Sequence, residues 1–147
     1  MPGNPQIPQG TLNRLRASIT WPNFANLNIS SGYLGKMGIR LAFEGDSTTF
    51  IQTMTGTVPS PEPYMMITAT AHLLKSQPLA QAYKQQMELS ALLGNGTIRG
   101  DTTPLTPWVI NNASIQTVRE LNFAGDDGDY AVTFRGYYLI NSNLYNG

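Results

Sequence analysis

The hydrophobic and polar positions of this chain mostly alternate, a pattern that predicts β-strands. Leu15, Ala17, Ile19 and Trp21 alternate with polar residues until Pro22 interrupts the pattern. Further stretches with strand character lie at residues 37–45, 48–58, 64–74, 108–123 and 130–141. We therefore expect a domain built mainly from short strands.

The run at residues 64–74 is the most apolar of these stretches. It is rich in β-branched side chains, and apolar residues occupy both of its alternating faces. We therefore expect a strand that is covered on both sides. The only histidine of the chain, His72, lies in this run, and we expect a core histidine bonded to backbone.

One segment has helical periodicity instead. Between residues 77 and 93, apolar side chains recur at spacings of three and four, and Pro78 lies where a first helical turn tolerates it. Gly94 and Gly96 are placed to end such a helix. The pattern predicts a helix over residues 77–93 that packs its apolar stripe on a sheet.

Prolines mark two segments that are unsuited to the centre of a sheet. Residues 1–11 begin with a proline-rich stretch and predict an extended N-terminal arm. Residues 44–63 include Pro59, Pro61 and Pro63, and we expect this segment to project from the sheet as a long loop.

The last two strand patterns predict a hairpin around an acidic, glycine-containing turn. If Gly125 faces Tyr130, Glu120 lies opposite Arg135 as a favourable cross-strand charge pair. The apolar face of this hairpin would consist of Ile115, Leu121, Phe123, Val132, Phe134, Tyr138 and Ile140. The mixed face would consist of Gln116, Val118, Glu120, Asn122, Thr133, Arg135, Tyr137 and Leu139. We expect the first face in the core and the second against water, a channel or a neighbouring chain.

The order of the elements is strands, then one helix, then strands. It predicts a mainly β (α+β) fold, in which a small antiparallel β-barrel or sandwich is flanked by one α-helix. With 147 residues and 41% hydrophobic content, residues 1–147 are expected to form a single domain.

Charge and cysteine usage narrow the classes of function. Nine basic and nine acidic residues cancel, and only 12% of the residues are charged, which favours association over repulsion. The dispersed basic residues do not make the stripe of a tight nucleic-acid binder. No cysteine is available for a disulfide or a thiolate metal site. The start of the chain lacks a secretion signal pattern and no apolar stretch approaches a membrane span, so we expect a cytosolic chain without stable membrane insertion.

Residues suited to catalysis are scarce. A serine nucleophile would have to recruit His72, and the sequence contains neither a nucleophile elbow nor a phosphate-binding loop. Asp126, Asp127 and Asp129 cluster around Gly128, but their spacing is not that of a calcium loop, and turn formation explains them. We expect no enzyme, no cofactor and no metal.

Three stretches together resemble a known family. These are the strand end "LLKSQPLA" followed by the helix, the turn "NFAGDD", and "FRGYY" near the end of the last strand. Over roughly residues 58–141 their order and spacing are similar to those of the tail tube proteins of contractile-tailed (myovirus-type) bacteriophages. These are packing motifs, and the N-terminal third matches only in general layout.

The resemblance implies a virion structural protein, assembled in the host bacterial cytoplasm. Its subunits would form stacked, hexameric rings that make a hollow conduit for DNA inside a contractile sheath. The implied partners are other copies of the chain, the tail sheath protein, baseplate and tail terminator proteins, and the tape measure protein. Genomic DNA would pass through the lumen without sequence-specific binding.

The resemblance also suggests roles for particular residues. The lumen face would be lined by Gln116, Glu120, Asn122, Thr133 and Arg135. Contacts between rings would be made by the arm and the 44–63 loop, through Pro5, Pro8, Asp46, Phe50, Pro59, Pro61 and Glu62.

Two alternatives stay open at this level. One is a related ring, in a contractile injection system or as a tail terminator. The other belongs to a different class: a monomeric β-sandwich that binds a carbohydrate or receptor through Trp108, Tyr137, Tyr138 and Tyr145.

Overall fold

A computed structural model describes residues 10–118, 121 and 123–145. It contains eight strands and one α-helix within this part of the chain. The strands are β1 (Ser18–Thr20), β2 (Leu34–Glu44), β3 (Thr48–Gln52), β4 (Thr57–Pro61), β5 (Tyr64–Leu74), β6 (Leu92–Arg99), β7 (Trp108–Val118) and β8 (Asp129–Leu139), and the helix is α1 (Pro78–Leu89). Three short 3₁₀ turns lie at Ala25–Leu27, Ser31–Tyr33 and Ser142–Tyr145.

Six of the strands form one antiparallel sheet in the order β1-β6-β7-β8-β5-β2, and the sheet curls into a half-barrel. Strands β3 and β4 form a separate two-stranded sheet. The predicted mainly β fold, a small barrel-like or sandwich-like sheet flanked by one helix, is therefore confirmed.

The core is built on one face of the curled sheet, together with residues of the helix and of the segment 19–29. Strand β5 pairs along its whole length with β8, which places Ile67, Ala69, Ala71 and Leu73 opposite the alternating residues of the neighbouring strand. Trp21, Tyr83 and Phe134 are the largest fully buried side chains and pack against one another. The burial of this face of β5 therefore comes from two neighbouring strands and this aromatic layer, whereas Tyr64 at the start of the strand is 51% exposed.

Two glycines inside strands are required by close packing. A Cβ at Gly96 would lie 2.4 Å from the Trp21 ring, and one at Gly136 would lie 2.6 Å from the Asn111 carbonyl oxygen. Both distances are far below van der Waals contact. These strand positions therefore bring β6 and β8 close to neighbouring groups that a larger residue would displace.

The helix is shorter than the predicted span of residues 77–93. It ends at Leu89, with Ser90 already extended, and Leu92–Arg99 forms β6 between β1 and β7. Gly94 has φ +81 and lies at an irregularity of β6. Gly94 and Gly96, which suggested a helix end, are thus part of β6. Hydrogen bonds from β6 to the two neighbouring strands outweigh the local helical pattern.

The predicted register of the last hairpin is wrong. Arg135 lies opposite Ser114, where the charge-pair argument placed Glu120, so the pairing differs by six residues (114 against 120). Ile115, Val132 and Phe134 are buried as expected, whereas Phe123 is 83% exposed. Irregularities between Asn111 and Ser114 and between Ile115 and Thr117 accommodate the observed register.

The first strand also differs from its pattern. Alternation predicted a strand that includes Leu15, but β1 spans only Ser18–Thr20, and Leu15 is 76% exposed. Ile19 and Trp21 are buried as the alternation requires. The strand is short because it pairs with β6 only over Arg99, Ile98 and Thr97.

Candidate assembly surfaces

The segment between β2 and β5 forms a two-stranded hairpin, β3–β4, that is separate from the main sheet. Its register places Phe50 opposite Pro59 and Ile51 opposite Val58. Because neighbouring residues of a strand point to opposite faces, apolar side chains occur on both faces of this hairpin. Phe50 is 64% exposed, Ile51 54% and Val58 50%, and Met54 at the tip is fully exposed.

Most of the predicted inter-ring residues lie in this hairpin or at its base. Asp46, Phe50, Pro59 and Pro61 are exposed, and Glu62 is half-buried, with its carboxylate accepting a 2.7 Å hydrogen bond from the Thr49 hydroxyl. Pro5 and Pro8 lie outside the described residues. The hairpin therefore brings together five of the seven predicted residues, and the two arm residues have no described position.

The base of the hairpin is held by the C-terminal segment. Asn141 donates its side-chain amide to the carbonyl oxygens of Ser47 (3.1 Å) and Glu62 (2.8 Å), and its own backbone lies at φ +48. Tyr145 donates its hydroxyl to the Pro63 carbonyl at 2.7 Å. Sequence patterns did not single out Asn141. Its position was the available signal, because it directly follows a strand and asparagine tolerates a positive φ.

A polar stripe crosses the face of the sheet opposite the core. Thr70 and Thr133 face each other across β5 and β8 with their hydroxyls 3.4 Å apart, and Arg135 donates to the Glu44 carboxylate at 2.5 Å. Both members of this ion pair are partly exposed. Glu44 therefore takes the place that the sequence argument gave to Glu120.

The structure positions only three of the five predicted lumen residues. Thr133 is buried between its neighbours, Arg135 is half-buried, and Gln116 is exposed at an irregularity of β7. Glu120 and Asn122 lie outside the described residues. Thr133 and Arg135 share the polar stripe because they are two positions apart on β8.

His72 lies on the same side of the sheet as Thr70 and Thr133. Its Nδ1 is 3.1 and 3.3 Å from the two carboxylate oxygens of Asp129, at the start of β8. The sequence predicted a backbone partner for this histidine; the structure instead gives it a carboxylate, since antiparallel pairing brings the ends of β5 and β8 together. The contact ties these two strand ends together.

The two edges of the curled sheet differ. Beyond β1, Ile19 forms a bridge with Ile29, whereas β2 pairs with β5 on one side and has no strand partner on the other among residues 10–118, 121 and 123–145. From Ile39 to Glu44 this edge strand is regular. A regular edge with free backbone donors and acceptors is a surface on which a second chain can add a strand.

A cleft of about 690 Å³ separates β2 from the β1–β6 side of the half-barrel. We call it the seam cleft. It is lined by Arg14, Leu15, Ala17, Ser31, the Leu34–Ile39 stretch, Leu41, Ile98, Arg99, Gly100, Asp101 and Trp108. No pattern in the sequence predicts this cleft, because its walls come from distant parts of the chain.

Aromatic residues proposed for ligand binding lie partly in contact with one another. Trp108 and Tyr138 pack at 5.3 Å between ring centroids, and Phe43 contacts both rings. Tyr137 packs against Tyr64 at 5.8 Å. The rings of Phe43, Trp108 and Tyr138 thus link β2 to β7 and β8.

In the described part of the chain, no three His, Cys, Asp or Glu side chains are grouped so that they would hold a metal ion. The same residues contain no helix with the length and apolar character required to span a bilayer. Comparisons of this chain with protein-family models, with curated proteins and with solved structures found no match.

Proposed function

We propose that this chain is a structural subunit of the tail tube of a contractile-tailed bacteriophage, and that it assembles into stacked rings. The observation that carries this proposal is the β3–β4 hairpin, which exposes apolar side chains on both faces. An isolated two-stranded hairpin is marginally stable in water. The hairpin therefore gains stability when neighbouring subunits cover its two faces.

Two further features support self-assembly. The regular half of β2 offers an open sheet edge, and the chain has nine basic and nine acidic residues, so copies repel one another weakly. In a ring, pairing at sheet edges joins neighbouring subunits, while the projecting hairpin contacts the next ring. The polar stripe around Arg135 and Glu44 is then suited to a water-filled lumen, because it carries balanced charge and does not hold DNA tightly.

In this proposal the tube lies inside a contractile sheath, between baseplate and terminator proteins, and first encloses the tape measure protein and then the genome. The sheath would contact the outside of the rings. None of these partners requires a catalytic site on the chain.

The proposal is tested by electron microscopy and sedimentation of the purified protein across a concentration series. Rings or hollow tubes with a channel wide enough for a DNA duplex are expected. A single monomeric species at every concentration would contradict the proposal.

The hairpin's contribution is tested with the Ile51→Thr/Val58→Thr double variant. Threonine keeps the preference for strand structure and removes apolar surface, so the subunit should remain folded. Burial of each original side chain is worth about 1.5–3 kcal/mol, so the concentration needed for assembly should rise at least about tenfold. Leu89→Thr/Leu105→Thr is the matched control, since it removes exposed apolar surface elsewhere (84% and 53% exposed) and should leave assembly unchanged.

A further inference from the structure

The seam cleft combines an apolar floor with a basic rim. Its floor is formed by Leu34, Ile39, Leu41, Ile98 and Trp108. At about 690 Å³, it has the size of a site that takes several side chains of a ligand or partner. The cleft lies where the half-barrel is open, between β2 and the β1–β6 side.

The charges on the cleft are mostly positive. Arg14, Lys36 and Arg99 line it together with a single carboxylate, Asp101. All three basic residues are exposed, and none makes an ion pair with another residue in the described ranges. The cleft therefore favours an occupant that presents acidic groups beside an apolar side chain.

The loop between β7 and β8 carries both of these features. Phe123 is 83% exposed, and the Lys75 ammonium group lies 5.5 Å from the centroid of its ring. Asp126 and Asp127 are exposed a few residues later, and the Asp127 carboxylate accepts a 3.0 Å hydrogen bond from the Asp129 backbone amide. An exposed aromatic ring next to two carboxylates complements an apolar floor rimmed by arginines.

Part of the basic rim is already close to the chain's own acidic loop. Lys36 also lines a smaller cavity, of about 360 Å³, together with Asp127 and Asp129. Arg14 and Arg99 do not line that cavity. These two arginines are therefore the groups that remain for the carboxylates of another molecule.

We propose that the seam cleft binds the acidic β7–β8 loop of a second copy of this chain, with Phe123 on the apolar floor and Asp126 and Asp127 facing Arg14 and Arg99. The contact is heterologous, since the loop and the cleft are different surfaces. Such contacts generate closed rings or open stacks when they repeat. The inference rests on the proposed function and adds to it the residues through which copies recognise one another.

The absence of cysteine from the chain allows a direct test by disulfide trapping. Gly100 lies in the cleft and Gly128 at the end of the loop, and a Cβ at either position meets no atom within 4 Å. Gly100→Cys and Gly128→Cys proteins, mixed and mildly oxidised, should form a mixed disulfide dimer. Docking holds the two thiols at high effective concentration, so the yield should exceed that of a control pair at least about tenfold. The control pair is Gln85→Cys, on the exposed face of α1, with Gly128→Cys.

Charge reversal provides the second arm of the test. Arg99→Glu in the cleft protein should lower the yield of the mixed dimer roughly fivefold, and Asp126→Lys in the loop protein should restore it. A yield equal to that of the control pair overturns the inference. Trapping of Gly100→Cys by Ile7→Cys in place of Gly128→Cys would also overturn it, because the occupant would then be the N-terminal arm. If unmodified protein forms rings while the trapping fails, only this inference falls; if it also forms no rings, the proposed function falls with it.

Discussion

Tyr83 joins the helix to two other parts of the core. Its hydroxyl accepts a 3.0 Å hydrogen bond from Trp21 Nε1 and donates to the Leu27 carbonyl oxygen, while Phe134 packs against the rings of both Tyr83 and Trp21. Trp21 and Leu27 are almost completely buried, so neither polar group can turn to water. One phenol oxygen thus satisfies a buried donor and a buried acceptor.

Tyr83→Phe is expected to destabilise the fold by about 1–3 kcal/mol, because it leaves the Trp21 N–H and the Leu27 carbonyl without partners. Denaturant unfolding followed by tryptophan fluorescence measures this change. Tyr33→Phe is the matched control, since Tyr33 lies at the surface and its change should be within about 0.5 kcal/mol. Equal effects of the two substitutions would contradict the role given to the Tyr83 hydroxyl.

The burial of Tyr83 also predicts how the free energy of unfolding changes at alkaline pH. Burial raises the pKa of Tyr83 far above its usual value near 10. Below about pH 10 the phenol is neutral in both the folded and unfolded states, so its contribution is fully present. Above that pH the unfolded state ionises first, and stability falls by up to about 1.4 kcal/mol per pH unit.

Tyr83→Phe should therefore reduce the slope of unfolding free energy against pH above pH 10. Part of the slope should remain, because burial also raises the pKa of Tyr130. Unfolding measured at a series of pH values from 8 upward checks the difference. An unchanged alkaline slope in the variant would show that Tyr83 does not contribute to it.

At the scale of elements, the position of the β3–β4 hairpin depends on its base. The Glu62 amide donates to the Ser47 carbonyl at 2.9 Å, and Asn141 bridges the carbonyls of the same two residues from outside. Within the described part of the chain, the hairpin forms no ladder with the main sheet. Asn141 is therefore the residue whose loss should free the hairpin most.

Asn141→Gly keeps the positive φ without strain and removes the amide, whereas Asn141→Ala removes the amide and strains the backbone. Both should increase protease cleavage within residues 46–62, and Asn141→Ala should cost about 1–2 kcal/mol more than the glycine variant. Limited proteolysis and denaturant unfolding measure the two effects. Asn112→Ala is the control, since Asn112 also has a positive φ (+50), and its backbone amide donates to the Asn95 side chain in β6. This variant should share the strain and leave cleavage unchanged. Equal cleavage in all three variants would contradict the bridging role of Asn141.

At the scale of the whole molecule, the core does not require the hairpin. The six-stranded sheet, the helix and the aromatic layer form the buried core, and among residues 10–118, 121 and 123–145 no member of this core comes from β3 or β4. The described chain thus comprises a folded body and a separate two-stranded hairpin. This division suits a protein whose hairpin is stabilised by its neighbours.

Replacement of residues 46–63 by an Asn-Gly dipeptide leaves a five-residue connection between Glu44 and Met66, within the usual range for a hairpin. The variant should keep the circular dichroism and thermal transition of a folded monomer and should lose assembly into rings or tubes. Thermal unfolding and electron microscopy test the two statements separately. Tubes formed by this variant would remove the hairpin from the assembly interface.

Several features of this protein follow from the sequence alone. Local patterns predicted the strand at residues 64–74, the start of the helix near Pro78 and the pairing of the last two strands. These patterns suffice because side-chain alternation, helical spacing and proline placement act within one element. They also predicted a mainly β fold with one helix, since few other arrangements cover such strands.

Only the tertiary structure decided the register of β7 and β8, the strand at Leu92–Arg99, and the partner of Arg135. Glu44 lies 91 positions from Arg135 in the chain, and no local pattern relates the two. The seam cleft is formed in the same way, from Arg14, the start of β2 and the end of β6. The physical reason is that strand pairing and sheet curvature depend on contacts between distant segments, whose energies outweigh the weak preferences of each segment by itself.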